Sequence, residues 1–169
     1  MPHAILRRLS LAAAASLLFG AAPVPSVLAQ TPLGVEARVL ERALRLLPAR
    51  PSVPIRLIDP ELAADVEAIG RLDAFLVRGR DGKVRPVIYL NRRAAIFENA
   101  LRGADIDLAI LAAVIRHEMA HLAGAGEPEA RRAERDVFER LVADGRVPLP
   151  EGMRYLKALD DQPQLRETR

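Results

Sequence analysis

A long apolar segment near the middle of the chain restricts the possible folds more than any other part of the sequence. The segment "ADIDLAILAAVIRHEMAHLAG" (104–124) contains two histidines and a glutamate near its end. On a helix its apolar side chains point to nearly every side, and a helix of that kind is buried in a core. A buried carboxylate beside two buried imidazoles costs several kcal/mol unless it is paired or binds a metal. The segment therefore predicts a central helix with a polar cluster that needs a partner.

The N-terminal residues have the layout of a secretory signal peptide. A short basic start, "MPHAILRR", precedes the apolar stretch "LSLAAAASLLFGAA", and small residues end the segment at Ala29. A membrane anchor is the alternative, but the apolar stretch is short for a span of roughly twenty residues. We therefore predict that residues 1–29 are removed and that the mature chain begins at Gln30. The mature protein would be periplasmic or secreted, with no stable membrane association.

Composition indicates one domain in residues 30–169. A chain of 169 residues suits a single domain, and the absence of cysteine means that no disulfide stabilises it. Removing residues 1–29 takes away Arg7 and Arg8 and lowers the net charge from +3 to +1. The remaining charges are well mixed, so we do not expect nucleic-acid binding. His3 is removed as well, which leaves His117 and His121 as the histidines of the mature chain.

Hydrophobic periodicity and turn residues predict an α+β fold. Helices are expected at 34–48, 59–70, 92–103, 104–124, 127–145 and 149–159. Strands are expected at 52–59, which Pro54 would confine to a sheet edge, and on both sides of an Asp81-Gly82 turn within 73–91. The order of these elements predicts a small antiparallel sheet packed against a helical core that contains the segment 104–124.

The spacing of His117 and His121 predicts a metal site. On a helix these residues are one turn apart and face the same way, so two neutral imidazoles can hold one zinc ion. Glu118 would reach a zinc-bound water, whose pKa the metal lowers towards neutrality, and would take its proton as general base. The alternative is a helix that carries these residues by coincidence, and the apolar surroundings argue against it.

The third ligand must be a carboxylate, because a catalytic zinc usually has three protein ligands and the mature chain offers no further histidine or cysteine. The candidates downstream are Glu127, Glu129, Glu134 and Asp136. Only Glu127 and Glu134 lie on the apolar stripe of the next predicted helix. A tight turn would make the two helices antiparallel, with Glu127 level with His121 and Glu134 deeper. We predict Glu127 as the ligand and Glu134 as acceptor for a ring N–H of a liganding histidine, with Glu134 as the alternative third ligand.

These residues resemble the active-site motif of the HExxH zinc metallopeptidases, the zincins. The stretch "HEMAHLAGAGE" (117–127) is also similar to the metzincin spacing HExxHxxGxxH, except that Glu127 stands in place of the third histidine. A glutamate ligand is typical of the gluzincins, where the sequence ExxAD is common. The stretch "EPEAR" keeps Glu127 and Ala130 but has Arg131 in place of the acid.

The resemblance implies a zinc-dependent metallopeptidase that cleaves peptide or protein substrates through a zinc-bound water, and the signal-like N-terminal segment predicts that this enzyme is exported. It also implies that an edge strand, here "VIYLN" (87–91), lies beside the active-site helix and holds an extended peptide. Tyr89, Tyr155 or an arginine would stabilise the oxyanion. The "GMRY" stretch is similar to the metzincin Met-turn, but its periodicity favours core packing of Met153 and Tyr155. The alternative function is a non-catalytic, zinc-stabilised module that binds a peptide or an envelope protein.

Overall fold

The computed structural model describes residues 29–62, 70–79 and 81–161. The α-helices in these ranges are α1 (Gly34–Leu44), α2 (Ala95–Leu101), α3 (Asp105–Leu122), α4 (Glu127–Ala143) and α5 (Leu149–Asp160). The strands are β1 (Ala29–Gln30), β2 (Ile55–Ile58), β3 (Ala74–Phe75) and β4 (Ile88–Asn91). The predicted signal peptide, up to residue 28, and the body of the helix predicted at 59–70 lie outside the described residues.

The four strands form one mixed sheet in the order β1-β2-β4-β3. β1 runs antiparallel to β2, and β3 runs antiparallel to β4, but β2 and β4 are parallel, with Ile55 beside Ile88. The predicted α+β class is confirmed, whereas the purely antiparallel sheet is wrong for the central pair. Parallel neighbours need a long crossover connection, and the residues between β2 and β4 are numerous enough to provide one.

Two predictions about sheet edges are also wrong. β2 lies between β1 and β4 and is not an edge strand. Pro54 precedes β2 and accepts a hydrogen bond of 3.1 Å on its carbonyl oxygen from the backbone N–H of Ile88. A proline at that position removes no hydrogen-bond donor from the sheet. β4, which contains most of "VIYLN", lies inside the sheet between β2 and β3. The edge strand that contacts α3 is β3.

α3 is the central element of the fold. It packs against α4, α2 and α1, and it contacts β3 and β4 of the sheet. Its middle is buried on all sides, as the sequence predicts, at Leu111, Ala112, Ala113 and Ile115. Burying a leucine or isoleucine side chain contributes about 1.5–3 kcal/mol, so apolar packing alone anchors this helix. Its C-terminal turn therefore holds His117 and His121 on a rigid support.

α5 packs on α4 through aromatic contact. The rings of Phe138 and Tyr155 have centroids 4.3 Å apart, and both side chains are buried. The predicted core position of Tyr155 is confirmed, but that of Met153 is wrong, because its side chain is 54% exposed. None of the helices in the described ranges has both the length and the hydropathy of a membrane-spanning segment.

Candidate metal centre

The corner between α3 and α4 brings His117, His121 and Glu127 together. The Nε2 atoms of the two histidines are 3.0 Å apart. Oε2 of Glu127 lies 3.4 Å from Nε2 of His121 and 3.6 Å from Nε2 of His117. In a tetrahedral zinc site with bonds near 2.0–2.1 Å, ligand atoms lie about 3.3 Å apart. The three donor atoms therefore have the spacing that a tetrahedral metal ion requires.

The carboxylate of Glu127 uses its two oxygens differently. Oε1 accepts a hydrogen bond of 2.7 Å from Nε of Arg131, one helical turn further on. Oε2 is buried and has no hydrogen-bond partner among the described residues. A buried polar atom without a partner costs about 1–3 kcal/mol, and more when it is charged. Because this oxygen faces two ring nitrogens, the donor set fits a divalent cation such as zinc.

Electrostatics keep Glu127 ionised and make the imidazoles basic. Burial alone would raise the pKa of Glu127, but His117, His121 and Arg131 hold it well below its usual range. Burial alone would lower the pKa of His117, but the carboxylates of Glu127 and Glu134 raise it to about 10. The pKa of His121 is also raised, because Glu127 and the Ala125 carbonyl outweigh the opposing effect of burial. A cation at this site would compete with a proton.

A hydrogen bond at Nδ1 holds each imidazole in its orientation. Nδ1 of His117 donates to Oε2 of Glu134 at 3.0 Å, and Nδ1 of His121 donates to the carbonyl oxygen of Ala125 at 3.0 Å. When Nδ1 carries the hydrogen, the Nε2 of a neutral imidazole has a free lone pair. Glu134 therefore lies at the back of the His117 ring, in the place of the predicted acceptor and away from the three facing donor atoms.

Glu118 is the fourth residue of the cluster. Its side chain is buried, with 4% of the residue exposed. Burial raises its pKa to about 7, although the neighbouring imidazoles of His117 and His121 oppose the shift. A carboxyl group with a pKa near the working pH is suited to accept and return a proton.

The other candidates lie elsewhere. Glu129 and Asp136 are exposed and line a separate groove with Arg116 and Arg132. Tyr155, one of the candidates for the oxyanion, donates its hydroxyl to Oε1 of Glu134 at 2.6 Å. The hydroxyl of Tyr155 therefore binds Glu134 on the Nδ1 side of His117, away from the three donor atoms of the cluster.

Three interactions at or near the site were not predicted from the sequence. The contact of Arg131 with Glu127 follows the i,i+4 spacing of a helix and could have been predicted. The contact of Tyr155 with Glu134 joins different helices, so no local pattern signals it. Asp73 precedes β3, and burial, followed by the charges of Glu134 and Asp107, raises its pKa to about 7.

Comparisons with protein-family models, with curated proteins and with solved structures found no match for this chain. The fold and the site define an α+β protein with a candidate His-His-Glu metal cluster.

Proposed function

We propose that the protein is a zinc-dependent metallopeptidase, a hydrolase that acts on peptide bonds. The observation that carries the proposal is the buried Oε2 of Glu127, which has no hydrogen-bond partner among the described residues and faces the Nε2 atoms of His117 and His121. Structural zinc sites usually have four protein ligands, whereas catalytic sites have three and leave one position open. A cluster of three donors beside a buried carboxyl group therefore favours catalysis.

The proposed roles follow from the positions of the side chains. His117, His121 and Glu127 would hold the metal, and a bound zinc ion supplies Lewis-acid chemistry that lowers the pKa of water and polarises a carbonyl group. Glu118 would accept the proton of the attacking water and give it to the leaving amine as the carbon–nitrogen bond breaks. Its pKa of about 7 supports a role in both directions of proton transfer.

A peptide substrate is supported by the sheet as well as by the resemblance to zincins. β3 is an edge strand that contacts α3, the helix with the cluster. A strand at the edge of a sheet can bind an extended peptide through main-chain hydrogen bonds. Because β4 lies inside the sheet, β3 replaces the "VIYLN" strand as the candidate for substrate binding, and its two residues, Ala74 and Phe75, are buried.

We also propose that the protein acts outside the cytoplasm, in the periplasm or as a secreted enzyme. The basis is the signal-like sequence of residues 1–29. Expression of the full chain in a bacterial host and N-terminal sequencing of the exported protein should give Gln30 as the first residue. An exported protein that keeps residues 1–29 would contradict cleavage at this position.

Metal analysis and digestion of a peptide library test the enzymatic function. The purified protein should contain about one zinc per chain, and Glu118→Gln should retain zinc but lose hydrolysis. Glu129→Gln is the matched control, because this exposed glutamate lies on α4 outside the cluster and should leave both properties unchanged. Full activity of Glu118→Gln would refute its role. Zinc binding without cleavage of any library peptide would favour the non-catalytic binding module.

A further inference from the structure

A chain of two hydrogen bonds connects the metal cluster to the C-terminal helix. The hydroxyl of Tyr155 in α5 donates to Oε1 of Glu134 in α4 at 2.6 Å. Oε2 of the same carboxylate accepts from Nδ1 of His117 in α3 at 3.0 Å. The three side chains are between 1% and 6% exposed, so water cannot readily replace either donor.

The hydroxyl of Tyr155 restricts the orientation of the Glu134 carboxylate. With each oxygen of Glu134 engaged by a different helix, the carboxylate cannot rotate without breaking a buried hydrogen bond. Removal of the hydroxyl would leave Oε1 buried without a donor, which is costly.

We propose that Tyr155 is a positioning residue for the metal site, and that it orients His117 through Glu134. This inference rests on the metal site of the proposed function and adds a coupling between zinc binding and the docking of α5. Partners of a liganding histidine fix its ring orientation, and their loss typically weakens metal binding. Because coupling is reciprocal, zinc binding must also stabilise the docked position of α5.

Zinc affinity, measured by competition with a chelating dye, tests the proposal in the full chain. We expect Tyr155→Phe to bind zinc about 10- to 100-fold more weakly than the wild type. Tyr89→Phe is the matched control, because it removes a hydroxyl from another buried tyrosine, in β4, and should leave affinity unchanged. Wild-type affinity in Tyr155→Phe would overturn the inference and leave the proposed function intact. Failure of the wild type to bind zinc would overturn both.

Hydrogen exchange separates positioning from a purely structural role. A purely structural hydroxyl would lower the melting temperature of Tyr155→Phe equally with and without zinc. The proposed coupling instead predicts that zinc slows amide exchange in α5 more strongly in the wild type than in Tyr155→Phe. Exchange in α1, which contributes no residue to the hydrogen-bond chain, serves as the internal reference. Equal slowing of α5 exchange in both proteins would overturn the coupling.

Discussion

Oε2 of Glu127 lies 3.4 Å from Nε2 of His121, although the two residues belong to different helices. The turn between α3 and α4 is responsible for this proximity. Gly124 in the turn has a φ of 91°, and Ala125 offers its carbonyl oxygen to Nδ1 of His121. The turn therefore both places Glu127 and orients His121. All three proposed ligands belong to one helix–turn–helix corner.

Substitution of Gly124 tests the importance of this turn. A side chain at a φ of 91° is strained, although no atom lies within 4 Å of the position that its Cβ would take. We expect Gly124→Ala to lower the free energy of unfolding by about 1–2 kcal/mol and to weaken zinc binding, because relief of the strain moves Glu127 away from the histidines. Urea unfolding of the metal-free protein and chelator competition measure the two effects.

Gly103→Ala is the control for Gly124→Ala. Gly103 has a φ of 93°, also has open space where a Cβ would lie, and is located between α2 and α3. The variant should lose a similar amount of stability while its zinc affinity stays at the wild-type level. A loss of affinity in both variants would mean that general destabilisation, and not the turn, controls the metal site.

Replacement of Glu127 tests the third ligand. Glu127→Gln removes the charge that faces both imidazoles, and a neutral amide oxygen is a poorer zinc ligand than a carboxylate. We expect zinc affinity to fall by more than about 100-fold, since even the loss of an outer partner costs 10- to 100-fold. Glu129→Gln, two residues away and exposed, should keep wild-type affinity. Equal affinities of these two variants would rule out Glu127 as a ligand.

Proton release should accompany zinc binding. In the metal-free protein the pKa of His117 is raised to about 10, so at pH 7 its imidazole is protonated. An imidazole must be neutral to bind a metal, and zinc therefore displaces this proton. Affinity should rise as the pH increases from 6 to 8, because fewer protons compete. Calorimetric titration at pH 7 in two buffers of different ionisation enthalpy should show at least one proton released per zinc; heats independent of the buffer would contradict this.

The sequence predicts the proximity of His117, His121 and Glu127 better than it predicts the sheet, because these three residues are close together along the chain. His117 and His121 share one helix, and a short turn leads to Glu127, so helical geometry is enough to bring them together. The direction of β4 relative to β2 depends on the course of the chain between them, for which the sequence contains no short-range signal. The same reason explains why the contact between Tyr155 and Glu134 was missed.

The exposure of Met153 has a different cause. Its spacing suits the apolar face of a helix, but Tyr155 and Leu156 occupy the buried face of α5. The spacing of apolar residues shows that a helix is amphipathic. It does not show which residues at the border of the apolar face contact the core. That choice depends on how α5 packs against α4, which is a tertiary property.

Asp73 should make the stability of the metal-free protein depend on pH. Its pKa rises from 3.8 to about 7 on folding, chiefly because of burial and then because of the charges of Glu134 and Asp107. Between these two pH values the folded state binds more protons at Asp73 than the unfolded state does. The contribution of Asp73 to the free energy of unfolding therefore falls as the pH rises through this interval.

Asp73→Asn should remove this dependence, because asparagine has a similar shape and no charge. We expect the variant to gain about 2–3 kcal/mol relative to the wild type between pH 5 and pH 8, because about two pH units of this interval lie below the raised pKa of Asp73. Urea unfolding of the metal-free protein at the two pH values measures the gain. Asp144→Asn removes an exposed charge at the end of α4 and should show no such change. If Asp73→Asn is destabilised at pH 8, its carboxylate has a favourable partner, and the repulsion assigned to Glu134 must be wrong.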